Sequence, residues 1–200
     1  MDILKINEKI SFIPATSEPL SADIGIIREG EETWLFDVGA EPRAIEGLPE
    51  NAHVVLSHFH RDHTENLPRL KTAEVFGSDE TLRHTGAGEA VRQELSRGGL
   101  RIFPLPSSHC KGCLGLEVDE TYAFVGDALY GRARDGFVCY NVTLLKAEIV
   151  TLKQLKAPWL LVSHHTGLLL PRENALMMLE GFYRRREKDD PEIRIRQMSR

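Results

Sequence analysis

The chain has 200 residues, 42% of them apolar and 28% charged, with a formal net charge of −5. This length and apolar share suit one domain with a sizeable core, expected over 1–200, and the acidic balance argues against a protein that tracks nucleic-acid phosphates. No run approaches the roughly 20 apolar residues of a membrane span, Met1-Asp2-Ile3-Leu4-Lys5 lacks the basic-then-apolar pattern of a leader, and three cysteines make no disulfide framework, so a cytoplasmic protein is expected.

Strands are expected over 3–13, 24–28 and 33–38, the last two joined by the polar turn Glu29-Gly30-Glu31-Glu32. A further apolar run, His53-Val54-Val55-Leu56, leads into Ser57-His58-Phe59-His60-Arg61-Asp62-His63. A short helix over 64–71 and a strand over 74–77 follow. The segment 79–96 reads as mainly helical, with Asp79 as a candidate cap, an interruption at Gly86-Ala87-Gly88 and a stop at Arg97-Gly98-Gly99. Strands are expected near 100–105, 114–118 and 121–125. Leu144, Leu145, Ile149, Leu152 and Leu155 form the apolar stripe of a helix over 143–155. Another strand ends at His164, and Pro171 opens a last helix with Ala175, Leu176, Leu179 and Phe182 turned inward. Arg184-Arg185-Arg186, followed by Glu187, Asp189 and Asp190, reads as a solvated helix end. Composition and periodicity reach a mixed α and β chain and no further.

Residues 58–63 place three imidazoles and a carboxylate within six positions after an apolar strand. Imidazole and carboxylate are the usual ligands of first-row metals, which need several to converge. Four such ligands suffice for one ion, but the spacing fits two adjacent ions better: His58 and His60 point the same way in an extended segment, and Asp62 and His63 need a turn. The pattern of apolar strand, small residue and ligand-type residue recurs at Ser108-His109, Gly126-Asp127 and Ser163-His164-His165. A rigid sheet offers ligands along one edge in this way.

These residues resemble the metallo-β-lactamase-fold hydrolase superfamily. His58-Phe59-His60-Arg61-Asp62-His63 matches its H-x-H-x-D-H signature. Pro106 to Cys113 is similar to its T-P-G-H-T-P-G-S segment, Gly126-Asp127 to its bridging-aspartate motif, and Asp37-Val38-Gly39 to its early D-x-G turn. The likeness runs in order from about residue 20 to 170. Three departures leave every ligand in place: Asn66 stands where glycine is frequent, Cys110 replaces threonine, and the last motif holds two adjacent histidines.

The resemblance implies a four-layer αββα sandwich with helices flanking two sheets. It gives His58, His60 and His109 to one ion, and Asp62, His63 and a terminal histidine to the other, with Asp127 bridging. Ser163 before it favours His164 as that ligand. His165 is the alternative, otherwise set behind the ligand or facing substrate. Asp62 and Asp127 are the expected catalytic carboxylates. Asp37 is expected to hydrogen-bond the loop under the site. Two divalent ions, zinc first with iron or manganese as alternatives, would hold a bridging hydroxide for attack on carbonyl or phosphorus.

The expected activity is hydrolysis of a thioester or other small acyl compound, as in the glyoxalase II-like members. The alternatives are a phosphodiesterase or ribonuclease and, in another class, an iron redox protein on the same site. A small-molecule substrate is expected, with neither membrane nor nucleic acid as partner. Cys110-Lys111-Gly112-Cys113 has redox spacing, but beside a ligand histidine its cysteines read as replacements for small loop residues. Cys139 reads as packing, His53 and His84 as structural or solvated, and Trp34 and Trp159 as core. The segment 130–141 reads equally as a surface loop or as a reach toward substrate through Arg132, Arg134, Tyr140 and Asn141.

Overall fold

A computed structural model describes residues 1–86 and 88–196. Ile10–Ile13, Ile24–Glu29 and Glu32–Phe36 form an antiparallel meander, which Ala52–Val55 and Thr72–Gly77 extend in parallel. With Leu4–Lys5 and Glu89–Ala90 at its edges this sheet has seven strands. The second sheet has six: Leu95–Arg97, Leu100–Pro104, Leu114–Val118, Tyr122–Gly126, Trp159–Val162 and Leu169–Pro171. Its one parallel pair, Tyr122–Gly126 with Trp159–Val162, needs a crossover, and a helix supplies it. The helices are α1 (Arg61–Thr64), α2 (Asp79–Thr85), α3 (Val142–Gln154) and α4 (Arg172–Arg184).

Side chains alternate along strands, so each sheet has two apolar faces to bury. Trp34, Phe36, Phe76, Leu116 and Phe124 fill the space between the sheets. Leu35, Val54 and Leu56 point to the opposite face of the first sheet, where Ala44 and Leu67 from two one-turn helices cover them. Val125, Leu160 and Val162 are covered by Leu145 and Leu152 of α3 and Ala175 and Leu179 of α4. The result is the expected mixed α/β arrangement of two sheets flanked by helices.

Local structure departs from expectation in several places; the strand expected over 3–13 is two, Leu4–Lys5 and Ile10–Ile13. The helix behind the signature starts earlier, at Arg61, so Asp62 and His63 lie within it; a one-turn helix, Leu67–Arg69, follows. The helix expected over 79–96 ends at Thr85. Gly86 takes φ +80°, and its N–H closes on Leu82 O at 2.8 Å, a left-handed stop that glycine adopts without penalty. Ser78, not Asp79, caps it, accepting from Thr81 N at 3.1 Å. Beyond Gly86 the chain pairs as strand instead. Glu89–Ala90 joins Phe76–Gly77, and Leu95–Arg97 turns back through Gly98-Gly99 onto Leu100–Ile102. Ala87, part of the expected interruption, lies outside the described residues.

The segment 130–141 is no plain loop. Arg132–Arg134 and Phe137–Asn141 form a hairpin, and Glu192–Arg196 adds a third strand. Trp34 is fully buried as expected, whereas Trp159 is 40% exposed, having an outward position on its strand.

Candidate metal centre

Four strand ends deliver the candidate ligands to one edge of the sandwich. Ala52–Val55 runs into Ser57-His58, Leu100–Pro104 toward His109, Tyr122–Gly126 into Asp127 and Trp159–Val162 into His164. Two positive-φ residues make the last turns. Gly126 has φ +54°, and a Cβ there would meet Ser57 Cβ at 2.7 Å, so only glycine fits. His164 has φ +60°, costly for a residue with a side chain, and its N–H donates to Asp23 Oδ2 at 2.9 Å.

The imidazoles of His58, His60 and His109 point at a common centre. His60 Nδ1 lies 3.0 Å from His58 Nε2 and 2.9 Å from His109 Nε2. Nitrogens sharing a tetrahedral zinc at roughly 2.0–2.1 Å are ~3.3 Å apart, so these separations sit near a coordinating arrangement. Beside them, Asp62 Oδ2 lies 3.1 Å from His164 Nε2 and 3.6 Å from His63 Nε2. Asp127 joins the groups: its Oδ2 is 3.4 Å from His109 Nε2 and 3.5 Å from His63 Nε2. The potential ligand atoms of Asp62, His63, Asp127 and His164 all lie within 4.8 Å of one another, as do those of His58, His109 and Asp127.

The donor set fits metal ions. His63 Nε2 and Asp127 Oδ1 are buried and, among the described residues, have no hydrogen-bond partner. Leaving buried polar atoms unsatisfied costs about 1–3 kcal/mol each, and coordination to a cation removes that penalty. His60 and His109 are lowered by burial, His109 to about 4, and burial likewise pushes His58 far down; all three are neutral near pH 7, the form that ligates. Burial also works against charging His63, but the Asp37 and Asp127 carboxylates outweigh it and hold that imidazole well above its ordinary value. They favour positive charge at that position, which a dication supplies. His164 is raised by its contact with Asp62.

A layer of hydrogen bonds behind the ligands sets their orientation. Asp37, fully buried, accepts from Ser57 N and Ser57 Oγ at 2.7 Å each and from His63 Nδ1 at 2.7 Å. With its hydroxyl proton given to Asp37, Ser57 Oγ accepts from His58 Nδ1 at 2.9 Å. Both rings thereby turn an Nε2 lone pair to the centre. The expected role of Asp37 matches this geometry. Asn66 also belongs here: it is fully buried, and its Nδ2 donates to Val38 O and Glu41 O at 3.0 Å. Asp23 and Tyr130, which the sequence does not single out, hold the last loop; Tyr130 Oη donates to Ser163 O at 2.9 Å.

A cleft of about 530 Å³ reaches the cluster, lined among others by His60, His109, Asp127, His164, Lys111 and Arg132. Every expected ligand is thus brought together, and His165 is not: it is exposed and outside the cluster. His53 stacks on Trp34 with ring centroids 4.6 Å apart, and His84 stacks on Phe59 at 4.4 Å. Arg132 lines the cleft, whereas Tyr140 is buried and Asn141 caps α3, accepting from Leu144 N at 3.0 Å.

No protein-family model matches the chain, and no curated protein sequence does. Solved structures do share its fold. An archaeal metallo-β-lactamase superfamily protein from Sulfolobus tokodaii aligns with a TM-score of 0.59 at 19% identity, over 88% of this chain and 86% of that one. The metallo-β-lactamase from Hirschia baltica aligns at 0.63 and 15% identity, covering 89% and 97% respectively. One from Cronobacter sakazakii gives 0.66 and 11%, covering 92% and 88%. At such identities the likeness concerns the fold: this chain has the metallo-β-lactamase fold. Among the described residues no helix is long and apolar enough to cross a membrane.

Proposed function

We propose that the chain is a single-domain, dinuclear metal-dependent hydrolase acting on a thioester or another small acyl compound. The observation that carries this reading is the pair of buried, partnerless ligand atoms, His63 Nε2 and Asp127 Oδ1, set among five further ligand-type side chains. Two dications held there would supply Lewis acidity for polarising a carbonyl and for bringing the pKa of water toward neutrality.

The residues divide the work. His58, His60 and His109 would hold one ion, zinc being the first choice for imidazole donors with iron or manganese as alternatives. Asp62, His63 and His164 would hold the other, and Asp127 lies between both groups. Asp62 is half-buried. Burial acts to raise its carboxyl, but its contact with His164 and the charge of His63 keep it below the ordinary value. It therefore remains a carboxylate able to accept a hydrogen bond from attacking water. Arg132 and Lys111 at the rim offer positive charge to a substrate's anionic end. The cleft volume of about 530 Å³ suits a small molecule. Cys110 is the nucleophile-type side chain in the cleft, yet it is only 6% exposed, so water attack is favoured over a covalent thiol route.

An assay of thioesters, lactones and phosphodiesters on the metal-loaded protein tests the reading. Acyl turnover is expected, lost in Asp127→Ala and retained in Cys110→Ser. Phosphodiester cleavage with a silent acyl panel would overturn the substrate class. Loss of all turnover in Cys110→Ser with metals still bound would indicate covalent thiol chemistry instead.

A further inference from the structure

Beside the metal cluster, the loop after Pro104 carries a second group of reactive side chains. Cys110 and Cys113 are both free, and their Sγ atoms lie 3.4 Å apart. A disulfide bond spans about 2.0 Å, so closure asks for a relative shift of somewhat over 1 Å. The chain between them permits it. Cys113 is anchored, its carbonyl accepting from Leu105 N at 2.9 Å, whereas Lys111 is exposed and Gly112 has φ +78°. A cleft of about 370 Å³ is lined by both cysteines together with Lys111, Arg132 and Leu144, which gives a small reagent access to sulfurs that are otherwise buried.

A second observation lies on α3. Its buried face, Leu145, Glu148, Ile149 and Leu152, packs on the apolar cluster that contains both cysteines. Glu148 is fully buried there, and neither carboxyl oxygen has a hydrogen-bond partner among the described residues. Burial, and after it the neighbouring Cys113 thiol, push this carboxyl well above its ordinary range. The carboxyl is thereby kept neutral on the helix face that covers the cluster holding both cysteines.

We propose that Cys110 and Cys113 are a reversible dithiol–disulfide couple. With a low-molecular-weight disulfide as oxidant, one cysteine thiolate attacks a sulfur of the reagent and expels one of its halves as a thiol. The other cysteine then attacks the mixed disulfide and expels the second half. One S–S bond breaks in the reagent and one forms in the protein. The two cysteine protons end on the two released thiols. Cys110 Sγ also lies within 4.8 Å of ligand nitrogens of His58 and His60, so the couple adjoins the metal cluster.

The test needs no turnover, so its failure and that of the hydrolase reading are separable. Metal-loaded protein is equilibrated in graded ratios of reduced to oxidised glutathione, quenched in acid and alkylated after denaturation. Intact mass and peptide mapping then give the state of each thiol. Loss of two alkylatable thiols, mapped to Cys110 and Cys113 and restored by dithiothreitol, is expected, with Cys139 unchanged. Cys110→Ser and Cys113→Ser should each stop at one glutathione adduct on the remaining cysteine. Three alkylatable thiols at every ratio, or adducts that never resolve in the parent protein, would overturn the couple.

Discussion

His63 Nδ1 donates to Asp37 Oδ2 across 2.7 Å, with both side chains fully buried. A carboxylate only accepts, so this bond fixes the proton on Nδ1 and leaves Nε2 facing Asp62 and Asp127. Asp37 itself has φ +58°, a conformation that asparagine tolerates. Asp37→Asn should therefore fold, yet bind one ion roughly 10–100-fold more weakly. A metal titration of the variant measures this; parent-like affinity for both ions would show that the Asp37 contact does not tune His63.

The two terminal histidines separate by metal content. His164 Nε2 lies 3.1 Å from Asp62 Oδ2, whereas His165 is exposed. His164→Ala should lose one ion per chain, and His165→Ala should keep its full complement. If only the second variant loses metal, the assignment is reversed.

Gly126 should tolerate no side chain. Its φ of +54° opposes alanine, and so does Ser57, which would lie only 2.7 Å from the added methyl carbon. Strain of this kind costs roughly 1–3 kcal/mol. Gly126→Ala should lower the midpoint of denaturant unfolding and reduce metal content together, because Asp127 is displaced with its neighbour. Unchanged stability and metal content would contradict the turn's role.

The ligands were readable from sequence because each is local to a strand end: apolar run, small residue, ligand. What supports them is not local. Ser57 and Asp37 meet across 20 residues and Asp23 and His164 across 141, so only the D-x-G turn gave a signal for this layer. Glu148 shares a helix face with Leu145, Ile149 and Leu152, but a hydrophobic pattern counts a glutamate as solvated wherever it falls. The helix expected to 96 failed at Gly86, where a left-handed stop outweighed the flanking helix formers. Glu192-Ile193-Arg194-Ile195-Arg196 does alternate as a strand does, but its partner Phe137–Asn141 lies some 50 positions earlier and the charged run before it masks the pattern.

Glu148 gives a pH dependence of known sign. Its folded value is raised well above 4.5, chiefly by burial. Its contribution to stability is fully present below that ordinary value. It is lost as pH rises toward the folded value, because the unfolded chain ionises first. The loss has a limiting slope of about 1.4 kcal/mol per pH unit. Glu148→Gln lacks the titration, so its stability relative to the parent should rise with pH from about 4.5 upward. Denaturant unfolding at several pH values checks this. A constant difference between the two proteins would mean that Glu148 is not held protonated by burial.

The central claim, a centre for two ions joined by Asp127, is tested most directly by elemental analysis of the protein prepared without chelators and then saturated with zinc. About two ions per chain are expected, falling to one or fewer in Asp127→Ala, since that carboxylate lies within 3.4–3.5 Å of imidazoles from both groups. A parent protein that stays at or below one ion per chain under metal excess would contradict the dinuclear account.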